Sequence, residues 1–176
     1  MATKRARAER PERALTPEQI RARTFQRAAK LLAAKPRSIA ELRERLLERH
    51  GVTGKLVEEV IARLKEYGYL DDERFALNYA SLKVKQRPIG RRRLQQDLKM
   101  KKVTNQVADE ALDLVYAETS EEELIDRAID KRIRLRGRPT TRLEAKSLFD
   151  HLLRQGFAFE LVSEKVRRLS RTDLDE

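Results

Sequence analysis

The 176-residue sequence predicts an all-α fold: an elongated, curved array of three tandem three-helix repeats. Three observations point there. Apolar residues recur at helical spacing in every long segment, no segment alternates with the period of a strand, and one apolar pattern returns twice along the chain. Leu42, Leu46, Val52, Leu56, Ile61 and Leu64 map by a step of 51 or 52 residues onto Leu94, Leu98, Val103, Val107, Leu112 and Val115. A second step maps those onto Leu148, Leu152, Phe157, Leu161, Val166 and Leu169.

The elements follow in order. Residues 1–15 (MATKRARAERPERAL) offer little to bury and read as a flexible basic arm. Thr16-Pro17-Glu18-Gln19 opens a helix over 17–34 with a hydroxyl cap, a proline where no N–H is needed and a residue that bonds back to the cap. Ser38 and Glu41 open a second over 39–49, and Gly51 ends it. A third, over 54–66, stops at Gly68. Asp71 or Asp72 caps a fourth over 72–86, and Pro88-Ile89-Gly90 connects it tightly to a fifth over 91–101. A sixth is expected over 105–117. Ser120 and Glu123 start a seventh over 121–135, Gly137-Arg138-Pro139 turns the chain, and Thr141 and Glu144 start an eighth over 142–154. Gly156 stops that helix before a ninth over 158–169. The repeats then span 16–69, 70–118 and 119–170, with a tail at 171–176. Three such helices bury little alone, so stability is expected from stacking of neighbouring units.

Composition narrows the function. The chain carries 40 Lys and Arg against 29 Asp and Glu, a net charge of +11, and its charged fraction of 39% suits thin helical layers. With no cysteine and two histidines, His50 and His151, it has no disulfide framework and little from which to build a metal site. No apolar run reaches membrane-spanning length, so a cytoplasmic protein with no membrane partner is expected. The six glycines form no phosphate-cradling loop, and neither histidine has the neighbours of a hydrolase motif, so no catalytic residue and no cofactor is expected. The acidic runs at 71–73 and 121–123 begin helices, where the dipole favours negative charge.

The positive charge is concentrated. Lys83, Lys85, Arg87, Arg91, Arg92, Arg93, Lys99, Lys101 and Lys102 face only Asp97 within their own stretch. A second block, 127–146, includes Arg132, Arg134, Arg136 and Arg138. Both blocks occupy the connection from first to second helix of their repeats, and a weaker block lies there in the first repeat. Stacking predicts a basic stripe able to track phosphates or an acidic groove. The triple Arg91-Arg92-Arg93 is hard to neutralise within one helix, which argues for a partner. Tyr67, Tyr69, Phe75 and Tyr79 read as core at the first repeat junction, and Phe149, Phe157 and Phe159 as core of the last repeat.

One string is unusually specific. Tyr67-Gly68-Tyr69-Leu70-Asp71-Asp72-Glu73-Arg74-Phe75-Ala76, followed by Tyr79, resembles the signature of the RecX regulatory proteins. Gly90, Arg92 or Arg93 with Leu94, Asp97-Leu98 and Lys102-Val103 is similar to that family's continuation, with Asp97 in place of Glu and Lys102 in place of a turn glycine. The resemblance implies a regulator of DNA repair and recombination, linked to the SOS response. Such a protein binds the RecA filament on single-stranded DNA, lies in its helical groove, and restrains filament growth, ATP hydrolysis and strand exchange. Arg91, Arg92, Arg93, Lys99 and Lys102 are the first candidates for contact with RecA or DNA, and Arg132, Arg134, Arg136 and Arg138 the second. A monomer is expected, and binding to duplex DNA stays open. The competing reading is a DNA-binding helical protein, chromosome-associated or regulatory, that acts without RecA.

Overall fold

The computed structural model describes residues 15–172, and all regular structure among them is helical. The order is α1 (Pro17–Ala34), α2 (Ile39–Leu47), α3 (Gly54–Glu66), α4 (Asp72–Gln86), α5 (Arg91–Met100), α6 (Asn105–Glu118), α7 (Glu121–Arg136), α8 (Arg142–Arg154) and α9 (Phe159–Thr172). The arm expected over 1–15 lies outside the described residues except at position 15. The tail expected at 171–176 does too, except that 171 and 172 continue α9.

Local chemistry sets the starts. Thr16 and Thr141 each complete a capping box, with Gln19 and Glu144 as the reciprocal partners. Ser38, Thr53, Asp71, Thr104 and Ser120 each accept one N–H of the first turn through the side chain. Each bond satisfies a donor that the helix itself leaves orphaned. Thr53 and Thr104 stand at equivalent places in their repeats, which the sequence pattern above did not use. Between second and third helices of each unit the chain turns through a left-handed residue: Gly51 (φ 79°), Lys102 (φ 59°) and Gly156 (φ 89°). Two units place glycine there, where it is unstrained, and the middle unit places a lysine. The second helix of the first unit ends two residues earlier than expected because this turn already begins after Leu47.

The repeat pattern marks the core, with one shift of register. Leu42, Leu46, Ile61, Leu64 and their counterparts Leu94, Leu98, Leu112, Val115, Leu148 and Leu152 are buried. Leu56, Val107 and Leu161 lie only half-buried at its margin, and the next residue of each unit (Val57, Ala108 and Val162) faces inward instead.

The core is divided unequally. The first unit closes its own cluster around Leu42, Leu46, Val57, Ile61, Leu64 and Leu70. Units two and three share one continuous cluster running from Phe75 to Val166. At their seam two backbones touch: the Gly90 N–H donates to the Gln155 carbonyl (2.9 Å) and the Arg92 N–H to the Gly156 carbonyl (3.2 Å). A Cβ on Gly90 would stand 2.2 Å from the Gly156 carbonyl carbon, so only glycine permits this approach.

The signature string is explained by the same geometry. Gly68 (φ 68°) reverses the chain after α3, Leu70 is buried in the first core, and Asp71 caps α4. Asp72 points back instead, accepting the Ile39 N–H at the start of α2 (2.8 Å), and Arg74 donates to the Gly68 carbonyl. Phe75 is buried and stacks on Tyr79 with ring centroids 6.0 Å apart. Tyr67 and Tyr69 depart from the core role expected of them. They are 52% and 67% exposed and meet edge to face on the surface, because the turn at Gly68 carries both rings outward. Phe159 is likewise exposed, packed edge-on against Phe149, while Phe157 is fully buried.

Candidate nucleic-acid interface

The cations of the stripe sort into three settings. Lys101 and Lys102 sit at the first junction and are neutralised there: Lys101 Nζ lies 3.1 Å from Glu41 Oε1, and Lys102 Nζ bonds Glu44. Arg91, expected to lack a local counter-charge, has one from the next helix: its guanidinium is 2.7 Å from Asp113. Its own N–H is accepted by Glu121 at the head of α7 (3.1 Å). Two cations of the first unit's weaker block are compensated as well, Arg43 held by both oxygens of Glu58 at 2.6 and 3.0 Å and Arg45 by Glu48. The Glu58 carboxylate is held below its ordinary pKa by that hydrogen bond from Arg43, which in turn raises the guanidinium.

Lys85, Arg92 and Lys99 are exposed, with no carboxylate within 4 Å among the described residues, and Lys83 sits over the Tyr79 ring at 5.3 Å. Arg134 turns back to the carbonyl of Asp130 in its own helix.

The third setting brings charges together. A cleft of 420 Å³ opens along the seam of the second and third units, lined by the cations Arg87, Arg93, Lys131, Arg132 and Arg154 and by His151. The connection from α4 to α5 supplies Arg87, α5 supplies Arg93, α7 supplies Lys131 and Arg132, and α8 supplies the rest. Arg93 is partly balanced by Asp97, 3.2 Å away and nearly buried. Arg87, Lys131, Arg132 and Arg154 have no carboxylate within ion-pair distance among the described residues. Arg132 also lines a neighbouring cleft with Arg136, Arg138 and one carboxylate, Glu144, which the Thr140 and Thr141 N–H groups hold. The crowding leaves a mark on titration. Burial, then Arg136 and Arg154, lower the Arg132 pKa; burial, then Arg132, Arg154 and Arg136, lower that of His151. Beyond the burial, the neighbouring guanidiniums disfavour further positive charge, and that part of the field attracts anions.

Three of the expected residues, Arg87, Arg93 and Arg132, therefore converge, while Lys101, Lys102 and Arg91 do not join them. Sequence reasoning missed Lys131, His151, Arg154 and Gln155. The His151 to Arg154 spacing on one face of α8 was the available signal, and it acquires meaning only once the seam is formed. No group of three or more His, Cys, Asp or Glu among the described residues is placed to hold a metal ion.

Models of two domains match the chain: the first three-helix domain of RecX over residues 25–64 and the second over 71–112. A regulatory protein RecX of Chlorobium limicola is 35% identical over 147 residues, covering 82% of this chain and 88% of its own length. The chain belongs to the RecX family. A RecX protein of Treponema pallidum (strain Nichols) is 40% identical over 110 residues, 62% of this chain and 66% of that protein, so the match spans just under two thirds of that relative's length. The crystal structure of RecX from Lactobacillus salivarius superposes with a TM-score of 0.75 at 18% identity, covering 86% of this chain and 97% of that one. At that identity the likeness speaks to the fold: an all-α array of three-helix repeats, as expected. No helix among the described residues is long and apolar enough to cross a membrane.

Proposed function

We propose that this RecX-family protein is a non-catalytic cytoplasmic regulator that binds the RecA filament on single-stranded DNA and restrains filament growth, ATP hydrolysis and strand exchange. The observation that carries the reading is the seam cleft, where uncompensated cations of two repeats meet on one surface. A row of repeats suits a helical polymer, because successive units engage successive subunits and each bound unit raises the effective concentration of the next. Filament ends held in this way add subunits more slowly. The cleft also supports a second reading, DNA binding without the recombinase, since the same cations grip a phosphate whichever protein coats the strand.

The deciding measurement is RecA ATP hydrolysis on single-stranded DNA with sub-stoichiometric amounts of this protein. Hydrolysis is expected to fall. The double reversal Arg132→Glu with Arg154→Glu is expected to raise the concentration needed by about tenfold or more, with helicity by circular dichroism unchanged. Tight binding to naked DNA at physiological salt with ATP hydrolysis untouched would favour the second reading.

A further inference from the structure

We infer that the seam cleft is a seat for a backbone phosphate of a single nucleic-acid strand, and that filling it is linked to protonation of His151. The inference rests on the proposed reading only for where the strand comes from; the seat itself is testable with no recombinase present.

The geometry carries the first half. Guanidinium groups match phosphate oxygens in both shape and charge, and here they approach one space from two units and four chain segments. The cleft continues through Arg132 towards Arg136, in a neighbouring space also lined by Glu144, whose carboxylate is engaged with Thr140 and Thr141. A row of cations suits successive phosphates of a strand better than one free ion, which would fill one cleft and leave the next unmatched. A strand lying there also bridges Arg87 and Arg93 of the second unit to Arg132 and Arg154 of the third.

The second half follows from what His151 faces. The side chain of Gln155 comes within 2.9 Å of its Nε2, and the amide nitrogen can only donate, so Nε2 accepts and the ring is neutral. The oxygen of that amide, Gln155 Oε1, is buried with no hydrogen-bond partner among the described residues. Arg154 lies beside the ring on α8, Lys131, Arg132 and Arg136 face it from α7, and Arg87 and Arg93 close the far wall, Arg93 tied to Asp97. Asp150, the nearest acid in sequence, is engaged with Lys146. Burial disfavours charge on the ring first and repulsion from Arg132, Arg154 and Arg136 second, and a phosphate among these cations offsets that repulsion. Once Nε2 takes a proton, rotating the Gln155 amide lets its orphan oxygen accept it. The sign is fixed: with the cleft empty the histidine pKa is depressed, so the ring stays neutral until pH falls through that lowered value; with a phosphate seated the pKa rises.

The test uses the full chain and the two histidines as each other's control. Histidine ring resonances are followed by NMR against pH, alone and with saturating oligo(dT), or with inorganic phosphate. The pKa of His151 is expected to rise by about one unit with the oligonucleotide, and the ring resonances of the exposed His50 are expected not to respond to it. Oligo(dT) affinity is then expected to tighten by up to about tenfold between pH 8 and pH 5, and His151→Gln to flatten that profile. Arg132→Gln should lower the slope of log affinity against log salt by about 0.7, as loss of one single-strand phosphate contact requires. An unmoved His151 under saturating oligonucleotide overturns the seat, and so does a response to inorganic phosphate alone. A His151→Gln profile as steep as the parent's overturns the proton linkage. RecA ATP hydrolysis on the same samples keeps the two ideas apart: inhibition with a silent His151 sinks the seat and leaves the regulatory reading standing, whereas a shifted His151 without inhibition does the opposite.

Discussion

At the junction of the first and second units the contacts are polar and few. Lys101 and Lys102 meet Glu41 and Glu44, the Ser38 hydroxyl donates to the Lys101 carbonyl, and Asp72 accepts the Ile39 N–H. At the junction of the second and third units a single apolar core runs through, and two backbones touch at Gly90 and Gly156. The two seams join the same kind of module by different physics. Ion pairs and isolated hydrogen bonds gain little over water and weaken with salt, whereas continuous apolar burial is insensitive to salt and scales with area. The core therefore divides into one small unit and one double unit, and the cation cleft sits at the seam that the shared core crosses.

The strongest way to break this contrast is Phe157→Ala. The ring is 1% exposed in the shared core, and its loss is expected to cost about 3–5 kcal/mol, read from urea denaturation followed by circular dichroism. Hydrogen exchange should then rise across α4–α9 together and little in α1–α3. A smaller loss, about 1–2 kcal/mol, is expected for Lys101→Met, which strands the half-desolvated carboxylate of Glu41, one oxygen of which is already buried without a partner. This loss should shrink in 1 M salt while that of Phe157→Ala does not, and the exchange increase should fall on α1–α3. If Lys101→Met loosened all nine helices equally, the two-part description would fail. The finest comparison is at Lys102, whose backbone is left-handed. Lys102→Gly and Lys102→Ala both remove the exposed ion pair with Glu44, but only glycine removes the strain. The glycine variant is expected to be the more stable by about 1 kcal/mol in the same assay.

Most of the fold was legible because its signals are local. Caps such as Thr16, Ser120 and Thr141 and stops such as Gly68 act within a turn of where they stand, and the repeat of Leu42, Leu94 and Leu148 reports one environment three times. The misreadings were all non-local. Tyr67 and Tyr69 lie in a specific motif, yet which way a ring points after Gly68 depends on the turn, not on the motif. Arg91 had no acid in its own helix and received one from α6, a distance that no pattern within α5 encodes. The candidate site was half legible. Arg87, Arg93 and Arg132 stood out by charge density, whereas His151 and Arg154 join them only because Gly90 and Gly156 let two units dock backbone to backbone.

Ser38 is fully buried, and its hydroxyl belongs to two helix ends at once, accepting the Glu41 N–H at the head of α2 and donating to the carbonyl of Lys101, the residue that caps the end of α5. During synthesis α2 leaves the ribosome well before α5 exists, so this donor spends the interval on water. Completion of the second module is what dries it, and the nascent first module gains its final latch from a segment translated some sixty residues later.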